Sequence, residues 1–208
     1  MIQTVIFDLS EVLIAGLLGV EEELSPRLSL PPEAVLAAFG GDLLDEICRG
    51  EITEEQYLAR ILVREKWDIS QDELKQIIRL NFHRRVAGMD AILERLAARC
   101  DLFLLSDHAR EWAKYIQDQH PFLQMFKERL FSYELRQVKK EPSTFTKVLH
   151  IIQRKPEDCL LIDDSPTNIA SAASVGVKGI RFENAAQLSM NLNDMNFRDE
   201  ISTMKRSA

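Results

Sequence analysis

Residues 5–14 read VIFDLSEVLI, and this stretch determines how the rest of the chain is interpreted. Its apolar run stops abruptly at the carboxylate of Asp8. Short runs of β-branched and aromatic residues are typical of strands that are buried on both faces of a parallel sheet. Open α/β sheets bind their ligands at the carboxyl ends of the strands, so this pattern places Asp8 near a ligand. A single acid after a strand more often caps a turn, and the interpretation therefore needs support from elsewhere in the chain.

A second apolar run, at residues 159–162, supplies that support because it ends in the acidic pair Asp163 and Asp164. Two buried strands would then deliver three carboxylates to one edge of the sheet. Like charges brought together in this way repel one another unless a cation lies among them. The sequence thus predicts a metal site formed by Asp8, Asp163 and Asp164.

Composition sets limits on the class of protein. The 208 residues are 46% hydrophobic and 28% charged, which is enough apolar material for one domain, or for one domain that carries a smaller inserted one. A net charge of −7 argues against nucleic acid or an anionic membrane as the main partner. Cys48, Cys100 and Cys159 are scattered and odd in number, which favours free thiols over disulfides or zinc. No apolar stretch approaches the length of a membrane span, and Met1 leads directly into the first strand, so we expect a soluble cytosolic protein without a signal peptide.

Residues 16–86 contain helix signals and no convincing strand. The pair Pro31-Pro32 predicts a helix start before residues 33–39. Thr53 and Gln56 have the spacing of a capping box, and Ser70 begins a similar pattern before a second periodic apolar run. An all-helical block inserted after the first strand is what a small cap domain would look like.

From Gly88 onward the pattern alternates between helices and strands, as in a parallel α/β sheet. We predict helices over residues 90–100, 109–119, 142–153 and 166–175, and strands at residues 102–105, 130–131, 159–162 and 178–182. The predicted fold is therefore α/β, with a Rossmann-like parallel sheet core at residues 1–15 and 87–208 and a helical cap at residues 16–86. Beyond Glu183 we predict a polar tail with one amphipathic turn containing Leu188 and Met190.

Four dispersed motifs resemble those of the haloacid dehalogenase-like (HAD) hydrolase superfamily. They contain Asp8, Ser106, Lys139 and the pair at residues 163–164, and their order and spacing span residues 5 to about 182. The resemblance implies that Asp8 is a nucleophile that accepts a phosphoryl group. It also implies that Ser106 binds the transferring phosphoryl oxygens. The neighbouring position is commonly Asn in the family but is Asp107 here, so Asp107 is also assigned to the phosphate-binding site, where it adds an extra acid.

The family pattern around the lysine is Lys-Pro-Asp-Pro, followed by two residues and an aromatic residue. Matching Pro142 and Phe145 to it identifies Lys139 as the functional lysine and puts Lys140 where the first proline usually stands. A lysine among carboxylates and phosphate can neutralise developing charge. We therefore expect Lys139 to be catalytic and to bind phosphate.

For the metal, the resemblance implies Mg²⁺ bound by Asp8, the backbone carbonyl of Ser10, Asp163 and Asp164. Hard oxygen ligands suit this ion. It also implies that Asn168 supports the loop that follows the acidic pair. Helical caps select the substrate in this family, and Arg49, Arg84 and Arg85 are candidates for that role, although solvated helix ends are the favoured interpretation of all three.

Ser10 is the main departure, because phosphatases of the family usually carry there a second Asp that acts as general acid and base. A subgroup that includes a sugar-phosphate phosphatase of similar size has small residues at this position. Glu11 and His108 are the candidates for the missing proton transfer, with Glu11 expected to face the cap loop.

The resemblance predicts a Mg²⁺-dependent phosphatase that acts on a small phosphorylated metabolite, with a phosphosugar as one candidate. A metal-free haloacid dehalogenase and a non-catalytic binding protein are the alternatives. The sequence carries no signal for an oligomeric state.

Overall fold

A parallel five-stranded sheet forms the centre of the protein. The computed structural model describes residues 2–195, and its sheet has the strand order β3-β2-β1-β4-β5, with every neighbouring pair parallel. The strands are β1 (Thr4–Phe7), β2 (Asp101–Ser106), β3 (Glu128–Phe131), β4 (Cys159–Asp163) and β5 (Lys178–Arg181). All four residues of the central strand β1 are buried, as its continuous apolar sequence predicts. The predicted α/β fold with a Rossmann-like sheet is confirmed.

Helices cover both faces of the sheet and fill the long connection between β1 and β2. Those in the connection are α1 (Val20–Leu28), α2 (Pro32–Phe39), α3 (Asp42–Cys48), α4 (Glu54–Glu65), α5 (Gln71–Asn81) and α6 (Met89–Ala97). The others are α7 (Arg110–Gln119), α8 (Ser132–Leu135), α9 (Pro142–Ile152), α10 (Pro166–Ser174) and α11 (Ala185–Asp194), with 3₁₀ turns at Pro121–Met125 and Pro156–Asp158. None of the helices within residues 2–195 is both long and apolar enough to cross a bilayer.

Local sequence signals explain where several helices begin. The hydroxyl of Thr53 accepts a hydrogen bond from the backbone of Gln56, and the Gln56 side chain accepts one from Thr53 in return, which is the predicted capping box of α4. Ser70 caps α5 in the same way through the backbone N–H of Glu73. Pro32 occupies the first turn of α2, where its missing N–H has no partner to lose.

The structure corrects the sequence prediction at several elements. Helices α1, α3 and the short α8 were not predicted, and α1 contains Pro26 in its interior, which disfavours a helix in local sequence terms. Helix α6 ends at Ala97 rather than at residue 100. The single turn predicted in the tail is the ten-residue helix α11, in which Leu188 is buried but Met190 is 69% exposed. The part of the predicted tail after residue 195 lies outside the described residues.

Two backbone hydrogen bonds join the two ends of the helical insertion where the chain leaves and rejoins the sheet. The N–H of Ala15 donates to the carbonyl of Arg84 at 2.8 Å, and the N–H of Val86 donates to the carbonyl of Leu13 at 3.1 Å. These bonds lie close to the predicted boundaries at residues 15 and 87. The division into a cap and a core stays a prediction, because one continuous hydrophobic cluster includes residues from both parts.

Glu54 makes a buried polar contact between the insertion and the sheet layer. Its side chain is 2% exposed and accepts a hydrogen bond from Trp112 Nε1 at 3.0 Å, which joins α4 to α7. Arg79 and Lys75 on α5 pair with its other oxygen at 2.9 and 3.1 Å. Because the carboxylate is buried, these donors are needed to offset the loss of its hydration.

We predict that Glu54→Ala lowers the free energy of unfolding by about 3 kcal/mol, since it leaves a buried indole N–H and a partly buried arginine without their acceptor. Glu55→Ala is the matched control, because Glu55 is the next residue of α4 and is exposed. We expect the control to change the free energy by less than about 0.5 kcal/mol. Urea unfolding measures both variants, and equal losses would contradict the assigned role of Glu54.

Candidate active site

The sheet topology brings the predicted site residues to one edge. Strand β1 pairs with β2 on one side and with β4 on the other, and Phe7 lies beside Leu104 and Ile162. Asp8 directly follows β1, while Ser106 and Asp163 are the last residues of β2 and β4. Because all three strands run in the same direction, the three polar side chains meet where the strands end.

Lys139 is the cation at the centre of this edge. Its side chain is 2% exposed, and its Nζ lies 2.7 Å from Asp8 Oδ1 and 2.6 Å from Asp163 Oδ2. Burial alone lowers the pKa of Lys139, but the carboxylates of Asp163, Asp8 and Asp107 outweigh it and raise the pKa above its ordinary value. The ammonium group is therefore charged and held between two strands.

Lys140, the alternative lysine in the sequence, points elsewhere. Its side chain is 50% exposed and pairs with Asp45 on α3. The register that matched Pro142 and Phe145 to the family pattern thus selects the lysine that contacts Asp8.

Asp107 holds the loop that carries Lys139. Both of its carboxylate oxygens accept hydrogen bonds from the backbone N–H of Lys139, at 3.0 and 3.2 Å. Burial raises the pKa of Asp107 to about 6, while Lys139 opposes the rise. The side chain was predicted to lie at a phosphate site, and that role stays a prediction. In this structure its contacts position the lysine.

The two oxygens of Asp8 have different surroundings. Oδ1 receives the backbone N–H of Leu9 at 2.6 Å, the ammonium of Lys139 at 2.7 Å and the hydroxyl of Ser106 at 3.3 Å. Within residues 2–195, no hydrogen bond or ion pair is made to Oδ2. One oxygen is thus fixed by three donors, and the other is available to react.

His108 connects the two serines of the site. Its Nδ1 lies 2.8 Å from Ser106 Oγ and its Nε2 lies 3.2 Å from Ser10 Oγ. Because Ser106 gives its one proton to Asp8, its oxygen accepts from Nδ1–H, which leaves Nε2 to accept the proton of Ser10. Burial lowers the pKa of His108 to about 3, so the imidazole is neutral.

Glu11, the other candidate for proton transfer, is directed toward the insertion. Its Oε1 accepts the backbone N–H groups of Gly16 at 2.8 Å and Leu18 at 3.2 Å. The backbone at Gly16 approaches Glu11 and Ser10 closely. A Cβ at this position would lie 2.7 Å from both Glu11 Oε1 and Ser10 Oγ, so glycine is required here. The carboxylate therefore fixes the loop, as expected from the sequence.

Three carboxylates converge as a metal site would require. Asp8, Asp163 and Asp164 each place one oxygen so that all three lie within 4.8 Å of one another. Burial raises the pKa of Asp8 well above its ordinary value, and Asp163 and Asp164 add to the rise. Burial and Asp163 likewise raise the pKa of Asp164. A single lysine does not balance this charge, whereas a hard divalent cation with oxygen ligands does, so these residues fit Mg²⁺.

Asn168 steadies the acidic pair from the first turn of α10. Its Nδ2 donates to Asp163 at 3.0 and 3.2 Å, and the backbone N–H of Ser165 also donates to Asp163 at 2.9 Å. Asp163 is therefore held by Lys139 and by these donors, while Asp164 faces the cavity.

A cavity of about 220 Å³ opens above these groups. Four apolar side chains form its wall, which we call the apolar wall: Leu17, Leu44, Phe82 and Trp112. Sequence analysis did not identify these residues as part of the site, because their patterns indicated only helix and core positions. A larger cleft of about 760 Å³ lies between α1 and α5 and contains none of the site carboxylates.

The three arginines considered for substrate selection do not line the cavity. Arg49 pairs with Glu141 at 2.5 Å, and Arg84 pairs with Glu22 at 3.2 Å. Arg85 pairs with Asp90. Of the three, Arg84 is exposed, as expected for a solvated helix end, whereas Arg49 and Arg85 are partly buried.

Comparison with known proteins gives a consistent set of relatives. A family model described as haloacid dehalogenase-like hydrolase matches residues 2–176. The chloroplast flavin mononucleotide hydrolase 1 of Arabidopsis thaliana is 29% identical over 150 residues, which cover 72% of this chain and 60% of that protein's length.

Solved structures share the fold at low identity. A HAD family enzyme of Bacteroides thetaiotaomicron, in complex with magnesium and inorganic phosphate, matches with a TM-score of 0.72 at 20% identity over 90% of this chain and 99% of its own. A predicted HAD-like hydrolase of Porphyromonas gingivalis gives a TM-score of 0.76 at 18% identity, and the match covers 96% of this chain and 100% of that one. The L-2-haloacid dehalogenase of Xanthobacter autotrophicus gives a TM-score of 0.68 at 15% identity, and the match covers 96% of this chain and 85% of the dehalogenase.

We predict that Lys139→Ala lowers the free energy of unfolding by about 3–5 kcal/mol in metal-free buffer, because it leaves two buried carboxylates without their cation. Lys140→Ala is the matched control and should cost less than about 0.5 kcal/mol. Adding Mg²⁺ should recover part of the loss in Lys139→Ala. Urea unfolding with and without Mg²⁺ measures these effects, and a larger loss in Lys140→Ala would contradict the assignment.

Proposed function

Since the chain belongs to the haloacid dehalogenase-like hydrolase family, we propose that it is a Mg²⁺-dependent phosphoric monoester hydrolase. It acts on a small phosphorylated metabolite through an aspartyl phosphate on Asp8. The observation that carries this proposal is the buried arrangement of Lys139 between Asp8 and Asp163, with Asp164 close by. Such an arrangement provides a nucleophile, a fixed cation and ligands for a second cation.

Asp8, Asp163, Asp164 and the carbonyl of Ser10 are the groups that would hold Mg²⁺. When bound, Mg²⁺ supplies positive charge that brings a phosphate dianion beside the carboxylate nucleophile and withdraws electrons from phosphorus. This contribution is needed because the site is acidic and the chain has a net charge of −7. Without added positive charge, the carboxylates would repel the substrate.

In the first half of the reaction Asp8 Oδ2 attacks phosphorus. A bond forms between this oxygen and phosphorus, the ester P–O bond breaks, and the alcohol oxygen leaves with the electron pair and takes up a proton from solvent water. Oδ1 remains held by Leu9, Lys139 and Ser106, which keeps the carboxylate oriented during the attack. Lys139 also offsets the negative charge that develops on the transferring group.

In the second half water attacks the phosphorus of the aspartyl phosphate. A bond forms from the water oxygen to phosphorus, the P–Oδ2 bond breaks, and the Asp8 carboxylate is regenerated. The proton lost by water passes to Ser10 Oγ, whose own proton passes to His108 Nε2 and then to solvent. The neutral imidazole and its hydrogen bond to Ser10 make this pair the replacement for the second Asp.

The substrate proposal draws on the relatives. The Arabidopsis relative is a flavin mononucleotide hydrolase, and flavin mononucleotide is a phosphate monoester of a small metabolite. The Bacteroides structure holds magnesium and inorganic phosphate, the ion and product expected of such a reaction. Flavin mononucleotide is therefore a substrate to test first. The cytoplasmic location expected from the sequence stays a prediction.

Two other functions were considered from the sequence. A metal-free haloacid dehalogenase would not need the cluster of Asp8, Asp163 and Asp164, whose mutual repulsion favours a cation. A non-catalytic binding protein would not need a neutral histidine aligned with Ser10 and Ser106. The geometry therefore favours the phosphatase.

We predict that Asp8→Asn lowers phosphatase turnover at least about 10⁴-fold while the circular dichroism spectrum is unchanged, because the nucleophile is lost and the fold is not. Asp118→Asn, at an exposed position of α7, is the control and should be fully active. Chelation with EDTA should abolish wild-type activity. Beryllofluoride, a mimic of the aspartyl phosphate, should raise the melting temperature only with Mg²⁺. Turnover by Asp8→Asn, or wild-type turnover without divalent metal, would contradict the mechanism.

We predict that His108→Asn lowers both kcat and KM by about 10²–10³-fold, so that kcat/KM changes little, and that acid quenching traps more phosphoenzyme than in wild type. Because only the second half is slowed, kcat should become the same for aryl and alkyl esters. Ser10→Ala should show the same kinetic changes as His108→Asn. The double variant should be no slower than either single variant. His83→Asn, an exposed histidine outside the site, is the control. Additive losses would show that Ser10 and His108 act separately.

A further inference from the structure

We propose that the substrate is a phosphomonoester whose alcohol carries no charge and presents an apolar portion to the apolar wall. This inference rests on the proposed phosphatase function and specifies the class of substrate for the same site. It excludes bisphosphates, phosphorylated carboxylic acids and simple sugar phosphates as preferred substrates.

The charges that line the cavity support an uncharged alcohol. Four carboxylates line it, namely those of Asp8, Glu11, Asp107 and Asp164, and Lys139 is its one lysine or arginine within residues 2–195. That lysine is already paired with Asp8 and Asp163. A second anionic group on the substrate would therefore meet carboxylates and find no cation of its own.

The apolar wall supports an alcohol with an apolar portion. Phe82 and Trp112 are almost fully buried and pack edge to face, with ring centroids 5.8 Å apart. The indole N–H of Trp112 is taken by Glu54, so it is not free to bond a substrate. Leu17 and Leu44 complete the wall without a polar atom in their side chains. Sugar hydroxyls placed against this surface would lose hydrogen bonds to water and gain none.

Other polar side chains that line the cavity are already engaged. Glu11 Oε1 binds the Gly16 and Leu18 amides, and the Asn168 amide binds Asp163. These side chains build the site and leave few donors for an alcohol that is hydroxylated throughout and has no apolar portion. The wall and the engaged groups together favour apolar over sugar-like leaving groups.

The charge requirement is tested with two nearly isosteric aryl esters, 4-carbamoylphenyl phosphate and 4-carboxyphenyl phosphate. In wild type with Mg²⁺, we expect kcat/KM for the neutral amide to exceed that for the carboxylate by about 10- to 100-fold. Leu17→Lys, which adds a cation to the apolar wall, should reduce this ratio about tenfold. Leu18→Lys is the matched control, since the side chain of Leu18 is 52% exposed and does not line the cavity. The control should leave the ratio within about twofold of wild type.

The apolar requirement is tested with two primary alkyl esters that share a six-membered ring, cyclohexylmethyl phosphate and glucose 6-phosphate. We expect kcat/KM for the cyclohexyl ester to be at least about tenfold higher. Equal kcat/KM for the two aryl esters, an equal response to Leu17→Lys and Leu18→Lys, or a preference for glucose 6-phosphate would overturn the inference. Each of those outcomes requires turnover and leaves the phosphatase function standing. Absence of Mg²⁺-dependent phosphate release from all four esters would instead overturn the proposed function and this inference with it.

Discussion

The contact of the Lys139 ammonium with the carboxylates of Asp8 and Asp163 is the interaction on which the site depends. Each partner comes from a different segment of the chain: Asp8 directly follows β1, Asp163 ends β4, and Lys139 lies in the loop before α9. The lysine is buried, so it has exchanged hydration for these two ion pairs. Both ion pairs can form only if β1 and β4 end at the same height along the sheet. The pairing of β1 with β4, in which Phe7 lies beside Ile162, brings Asp8 and Asp163 to the same height.

The parts that could be predicted from the sequence are those encoded locally. Buried parallel strands are recognisable in the sequence as short apolar runs. The capping box at Thr53 specifies the start of α4 through residues of its own first turn. The apolar wall could not be predicted, because Phe82 and Trp112 meet only through the packing of α5 against α7. Helix α1 was missed for a related reason: Pro26 disfavours a helix locally, whereas burial of Val20 and Leu24 favours it.

His108 illustrates the limit of motif matching. The sequence identified a missing acid at Ser10 and two candidates for its role, Glu11 and His108, with Glu11 expected to face the cap loop. Their hydrogen-bond partners distinguish them: Glu11 is bonded to backbone amides of the loop and His108 to two hydroxyls. Such partners are set by tertiary structure, since Ser10 and His108 are far apart in the chain and become neighbours only because β1 and β2 are paired.

The central position of β1 also has a consequence for folding. Its two neighbours begin at residues 101 and 159, so the strand that is synthesised first has to wait for partners that emerge much later from the ribosome. During that interval its apolar side chains have no sheet to cover them. The helical insertion has mostly local contacts, so it can form earlier and then closes a shorter effective loop between β1 and β2. The insertion that shapes the cavity would thereby also help the sheet to assemble.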